Sequence, residues 1–120
     1  MRARGRTKRT PGEMNGLEKA WSLHLAEQKA AGEISEWWYE PMSLRLAKGS
    51  TYKPDFMVVT ATGFVEFHET KGFMREAANV RLKVAAEKFP QFVFRLIRRI
   101  AKKDGGGWNV VVIGKGLDDE

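Results

Sequence analysis

A three-residue turn, Ala61-Thr62-Gly63, sets the strongest limit on how this chain can fold. It separates two β-rich apolar runs, Tyr52 to Thr60 and Phe64 to Lys71. So short a link joins neighbouring strands only when they are antiparallel, because a parallel partner needs a crossover of about a dozen residues or more. Lys48-Gly49-Ser50 marks an earlier turn, and Trp37 to Leu46 before it reads as another strand. Pro41 inside that run removes a ladder donor and points to an edge or a bulge. The expectation is an antiparallel meander of three strands.

Helical signals flank the meander. Thr10-Pro11-Gly12-Glu13 and Asn15-Gly16-Leu17-Glu18 both have the form of a helix start with a capping glutamate, and the sequence does not choose between them. The helix then runs to about Ala31, with Leu17, Ala20, Trp21, Leu25 and Gln28 near one stripe, and Gly32 is a plausible stop. Gly72 breaks the third strand. Residues 73–89 read as a second helix, with Ala78, Leu82, Ala85, Ala86 and Phe89 on one stripe and Pro90 ending it. QFVFRLI is a fourth strand. RRIAKKDGGG is a basic, then flexible, connection, Trp108 to Ile113 a fifth strand, and LDDE a fraying tail. The order is α-β-β-β-α-β-β in a single α/β domain over 13–120, preceded by an arm over 1–12.

Composition narrows the function classes. In 120 residues with 42% hydrophobic content there is enough apolar material for a core. The absence of cysteine removes disulfides, thiolate metal sites and cysteine nucleophiles, and suits a reducing cytoplasm. No apolar run approaches the ~20 residues of a membrane span, so no membrane partner is expected. The net charge of +6 is concentrated at the start of the chain, in Arg2, Arg4, Arg6, Lys8 and Arg9. Without that arm the remaining basic residues nearly balance the 15 acidic ones. A basic arm lacking apolar residues suits contact with nucleic-acid phosphates, or serves only as a solubilising tail.

The third strand ends unusually. Side chains alternate across a strand, so Val65, Phe67, Glu69 and Lys71 share one face, while Phe64, Glu66, His68 and Thr70 share the other. The first face is apolar and then charged, as though a core surface ran out into a site. Counting from residue 62, Asp55 on the preceding strand falls opposite Glu69. Two adjacent carboxylates repel unless a cation bridges them. Oxygen ligands of this kind suit Mg²⁺ or Mn²⁺ rather than zinc. The plainer alternative is a solvent-exposed ion pair of Lys71 with Asp55 or Glu69.

Tyr52-Lys53-Pro54-Asp55-Phe56, then Glu69-Thr70-Lys71-Gly72, with Glu18 on a preceding helix, resembles the PD-(D/E)XK nuclease superfamily. Within it, the chain is most similar to the phage endonuclease I family of DNA junction-resolving enzymes, and it also resembles small phage nucleases of the superfamily. The likeness spans residues 15 to about 97 and leaves GGGWNVVVIGKGLDDE without a counterpart. It implies a restriction-endonuclease-like core, with a mixed central sheet flanked by helices. It also implies that Asp55 and Glu69 ligate Mg²⁺ or Mn²⁺, that Glu18 completes the metal shell, that Lys71 lies by the attacking water, and that the protein is a homodimer acting on DNA. No small-molecule organic cofactor is implied.

Other residues carry weaker signals. Lys53 adjoins Asp55 and is a candidate DNA contact. Arg75, Asn79, Arg81 and Lys83 lie on the polar side of the second helix, where they contact phosphates or form a solvated face. Arg98, Arg99, Lys102 and Lys103 form a second basic cluster suited to the DNA backbone. His68 and His24 read as surface or partly packed residues, and Glu66 as a rival ligand of the wrong parity. Trp21, Trp37, Trp38 and Tyr39 read as core or dimer interface. Three functions remain open: a branched-DNA endonuclease, a duplex endonuclease of the same fold, and a nucleic-acid-binding module with structural carboxylates.

Overall fold

The structure, a computed structural model, describes residues 12–72 and 76–114, with backbone only at 76–78. The basic arm, the Thr10 helix start, Arg75 and the LDDE tail lie outside the described residues. Helix α1 spans Gly16–Ala30. Its start is the second of the two candidates: the Asn15 side chain accepts from the Glu18 amide at 2.7 Å, and Glu18 Oε1 accepts from the Asn15 amide at 2.9 Å. Gly32, at φ +80°, ends the helix in the left-handed conformation that a Cβ disfavours.

Five strands form one mixed sheet: β1 (Ile34–Tyr39), β4 (Phe56–Thr60), β5 (Val65–Thr70), β6 (Val93–Arg99) and β7 (Trp108–Ile113), in that spatial order. β1, β4 and β5 are antiparallel neighbours, but the expected meander is corrected: Lys48-Gly49-Ser50 closes a hairpin inserted between β1 and β4 and does not join them. Two of its expected strands are interrupted. Trp37 to Leu46 is broken after Tyr39, and Tyr52 to Thr60 is broken at Lys53-Pro54-Asp55. Between the breaks, β2 (Leu44–Ala47) and β3 (Ser50–Tyr52) form a separate hairpin. Apolar alternation over Tyr52, Pro54, Phe56 and Val58 runs through the second break and hides it, while Pro41 and Pro54 each lie at one break.

Helix α2 (Glu76–Lys88) carries the chain from β5 to a parallel β6, the crossover that parallel pairing requires. β6 extends to Arg99, so Arg98 and Arg99 belong to a strand and not to the connection.

The sheet is covered on both sides. Leu82, Ala85 and Ala86 of α2, with Leu44, Leu46 and Tyr52 of the hairpin, pack on the face bearing Phe67, Phe94 and Leu96. Trp21 and Leu25 of α1 pack on the face bearing Ile34, Phe56, Val58 and Ile97. His68 is therefore buried, at 4% exposure, which corrects its reading as a surface or partly packed residue. Parity placed it on the correct face, but α1 covers that face. No described helix is long and apolar enough to cross a membrane.

Candidate active site

The pairing of β4 with β5 fixes the site. Phe56 lies opposite His68 and Met57 opposite Phe67, and Asp55 and Glu69 are the residues that immediately adjoin the last of these pairs. Asp55 occupies the bend at Lys53-Pro54-Asp55, just before β4 begins. Its Oδ2 accepts from the Thr70 amide at 2.9 Å and from the Thr70 hydroxyl at 3.0 Å. Its backbone carbonyl accepts from the Glu40 amide at 2.7 Å. Glu40 holds φ +46°, a conformation rarely adopted by a residue with a side chain. That local strain lets the chain leave β1 for the hairpin while still bonding Asp55.

Glu69 is 6% exposed. Its Oε1 accepts from the Tyr52 hydroxyl at 2.8 Å, and its Oε2 lies 3.4 Å from Lys71 Nζ. Glu18 is also buried, and its Oε1 accepts from the Tyr39 hydroxyl at 2.8 Å. The chain has two tyrosines, and each donates to one of these glutamates. Phenols held this way fix carboxylate orientation at the expense of side-chain freedom.

The electrostatics follow from crowding and burial. Burial first, then the charge of Glu69 and, after it, of Glu18, raises the Asp55 pKa to about 7, against the pull of the Thr70 hydrogen bonds. Burial likewise raises Glu69, while Tyr52 and Lys71 work the other way. Burial and the neighbouring Glu69 charge push the Tyr52 phenol upward, so it remains a hydrogen-bond donor. Buried carboxylates under mutual repulsion are the setting in which a cation is favoured. Asp55 and Glu69 therefore suit a hard cation by donor type and charge.

Among the described residues, no group of three or more His, Cys, Asp or Glu side chains converges as a cation cage. Two carboxylates do not require one. Mg²⁺ is usually held by one or two carboxylates together with waters and substrate phosphates. Glu18 acts on the pair through its charge, and its Oε1 is engaged by Asn15 and Tyr39.

A groove of about 290 Å³ opens on Glu69, lined also by Thr51, Tyr52, Lys53 and Arg81. Of the polar residues named on the second helix, Arg81 reaches this groove, whereas Lys83 is exposed and does not line it. Lys53 is 3.6 Å from Glu40, and its side chain is 56% exposed. Arg98 and Arg99 end β6 beside Lys71, whose amide donates to the Ile97 carbonyl, so they lie at the same end of the sheet as the carboxylates. The Arg99 guanidinium stacks 4.7 Å over Trp108. Lys102 and Lys103 are exposed on a 3-10 turn that follows.

Glu66, the rival ligand, is otherwise engaged. It accepts two hydrogen bonds from Arg95, at 3.0 and 3.1 Å, and bonds His68 Nε2 at 2.9 Å. His68 Nδ1 accepts from Trp21 Nε1 at 3.1 Å, so Nε2 carries the proton and donates to Glu66. Burial lowers the His68 pKa and favours this neutral tautomer. Neither Tyr39 nor Thr70 stood out as a site residue from sequence. Thr70 lies inside the Glu69-Thr70-Lys71-Gly72 motif, but Tyr39 becomes relevant only when β1 folds against α1.

The chain matches no family model, no curated protein and no solved structure.

Proposed function

We propose that this protein is a Mg²⁺- or Mn²⁺-dependent DNA endonuclease of the PD-(D/E)XK type, selective for branched DNA and acting as a homodimer. The observation that carries the proposal is the crowding of partly buried Asp55 with buried Glu69, whose charge bears on the Asp55 carboxyl, with Lys71 Nζ 3.4 Å from Glu69 Oε2. Support also comes from the element order. Helix α1, antiparallel β1, β4 and β5, and a parallel β5–β6 pair joined through α2 are compatible with the restriction-endonuclease-like core that the resemblance implies.

Phosphodiester hydrolysis needs an aligned water, neutralisation of phosphate charge and stabilisation of the leaving oxygen. Asp55 and Glu69 would hold the metal, with Glu18 adding negative charge alongside them. When bound, the metal supplies Lewis acidity and a more acidic water. Thr70 holds Oδ2 of Asp55, and Tyr52 holds one oxygen of Glu69, so the carboxylates need little reorganisation. Lys71, 38% exposed, can orient the attacking water or meet the phosphate without changing protonation. Resolving a junction takes two cuts, which a two-fold pair of sites delivers.

The test is cleavage of an end-labelled four-way DNA junction beside a linear duplex of the same arm sequence, with Mg²⁺, Mn²⁺ or chelator. Metal-dependent cuts confined to the junction support the proposal. Equal cutting of both substrates replaces it with a duplex endonuclease. DNA binding without cutting under either metal replaces it with a binding module whose carboxylates are structural.

A further inference from the structure

We infer that the groove between the β2–β3 hairpin and α2 is a phosphodiester-binding subsite, in which Arg81 and Lys53 grip the backbone of the strand to be cut. The inference rests on the nuclease reading and assigns it a path for substrate. The groove holds about 290 Å³ and has Glu69 among its lining residues.

Its walls are held by the core. Leu44, Leu46 and Tyr52 on the hairpin side pack against Leu82, Ala85 and Ala86 of α2. Arg81 immediately precedes Leu82, which is fully buried, so the Arg81 backbone is anchored while its side chain is exposed. Lys53 sits on the opposite wall, directly after β3 and two residues before Asp55. The spacing of the two cations is thus set by packing between the hairpin and α2.

Charge gives the groove its ligand class. A phosphodiester approaching Asp55, Glu69 and Glu18 meets repulsion unless cations flank its path. Lys71 answers Glu69 directly, at 3.4 Å. Arg81 forms no ion pair with a described residue, and Lys53, itself exposed, has a long contact of 3.6 Å with the partly buried Glu40. Both are available to an incoming anion. A guanidinium presents paired donors that match a phosphate, and Lys acts beside it as a point charge. The groove is where the strand meets Glu69, whereas Arg98 and Arg99 lie along the end of β6 and suit the flanking duplex.

The experiment measures binding and cutting separately. Fluorescently labelled four-way junction and linear duplex are titrated in chelator across a salt series, using wild type, Arg81→Ala, Arg81→Lys, Lys53→Ala and Lys83→Ala. Single-turnover cleavage in Mn²⁺ follows. Alanine suits an exposed helical position, so Arg81→Ala should fold normally, as thermal melting checks. Arg81→Ala is expected to weaken binding roughly tenfold and to flatten the salt slope by about 1. Arg81→Lys should recover part of the affinity, and Lys83→Ala should behave as wild type.

If wild type cuts DNA and Arg81→Ala binds with unchanged affinity and slope, the subsite is overturned while the nuclease reading stands. If no protein cuts but Arg81→Ala still loses affinity and slope, the groove remains a phosphate site and the nuclease reading falls. Wild type that binds no DNA overturns both.

Discussion

Replacing Asp55 with asparagine should abolish cleavage and stabilise the metal-free protein. The carboxyl's ordinary value is 3.8, and in the fold it is raised to about 7. A raised carboxyl pKa means that the fold prefers the protonated form. The resulting cost to stability is absent below pH 3.8, grows as pH rises and is complete above about 7. The interval corresponds to on the order of 4 kcal/mol as a ceiling. Asparagine removes the charge but is a weaker acceptor for the two Thr70 donors, which returns about 1–2 kcal/mol. The net gain at pH 8 is therefore on the order of 2 kcal/mol, or roughly 10 °C in Tm for a domain of this size. At pH 5 most of the gain should vanish, because the wild-type carboxyl is then largely protonated. Thermal melts of both proteins in chelator, at pH 5 and pH 8, make the comparison. Adding Mn²⁺ at pH 8 should stabilise wild type and leave Asp55→Asn unchanged. Equal Tm at pH 8, or a gain independent of pH, would refute the crowded-carboxylate account.

Two further outcomes follow from contacts in the fold and a third from the charge of the N-terminal arm. Tyr52→Phe removes the donor to Glu69 Oε1 and should weaken Mn²⁺ binding by about 10–100-fold in calorimetry; unchanged affinity in a folded variant would dismiss the orienting role of the phenol. Arg95→Ala leaves Glu66 and His68 without their cation and should lower unfolding free energy by roughly 1–3 kcal/mol in denaturant titration, with DNA cleavage retained. Deleting residues 1–9 should weaken DNA binding and flatten its salt dependence, and an unaltered slope would assign the arm no phosphate contacts.

Much of the site was legible because strand chemistry is local. The Gly63 turn fixed the hairpin, and the hairpin fixed a register that runs to Phe56 opposite His68, with Asp55 and Glu69 the next residues along. The capping pattern at Asn15 and Glu18 likewise gave a helix start, although its rival at Thr10 was equally well formed. The breaks at Glu40 and Pro54 were not legible in the same way. Apolar alternation continues through the second, and the hairpin they enclose packs against α2, which lies more than twenty positions along the chain.

Local rules along the chain were enough for the antiparallel hairpin, the two helices and two carboxylates with a lysine near one strand end. These follow from turn length, side-chain parity and helical period, which act over a few residues. The burial of His68, the reach of the two tyrosines to Glu18 and Glu69, and the lining of the groove by Arg81 rather than Lys83 came from packing. Those outcomes depend on which helix covers which face of the sheet. That choice is made by burial of Trp21 and Leu25 on one side and Leu82 and Ala85 on the other, through contacts distant in sequence.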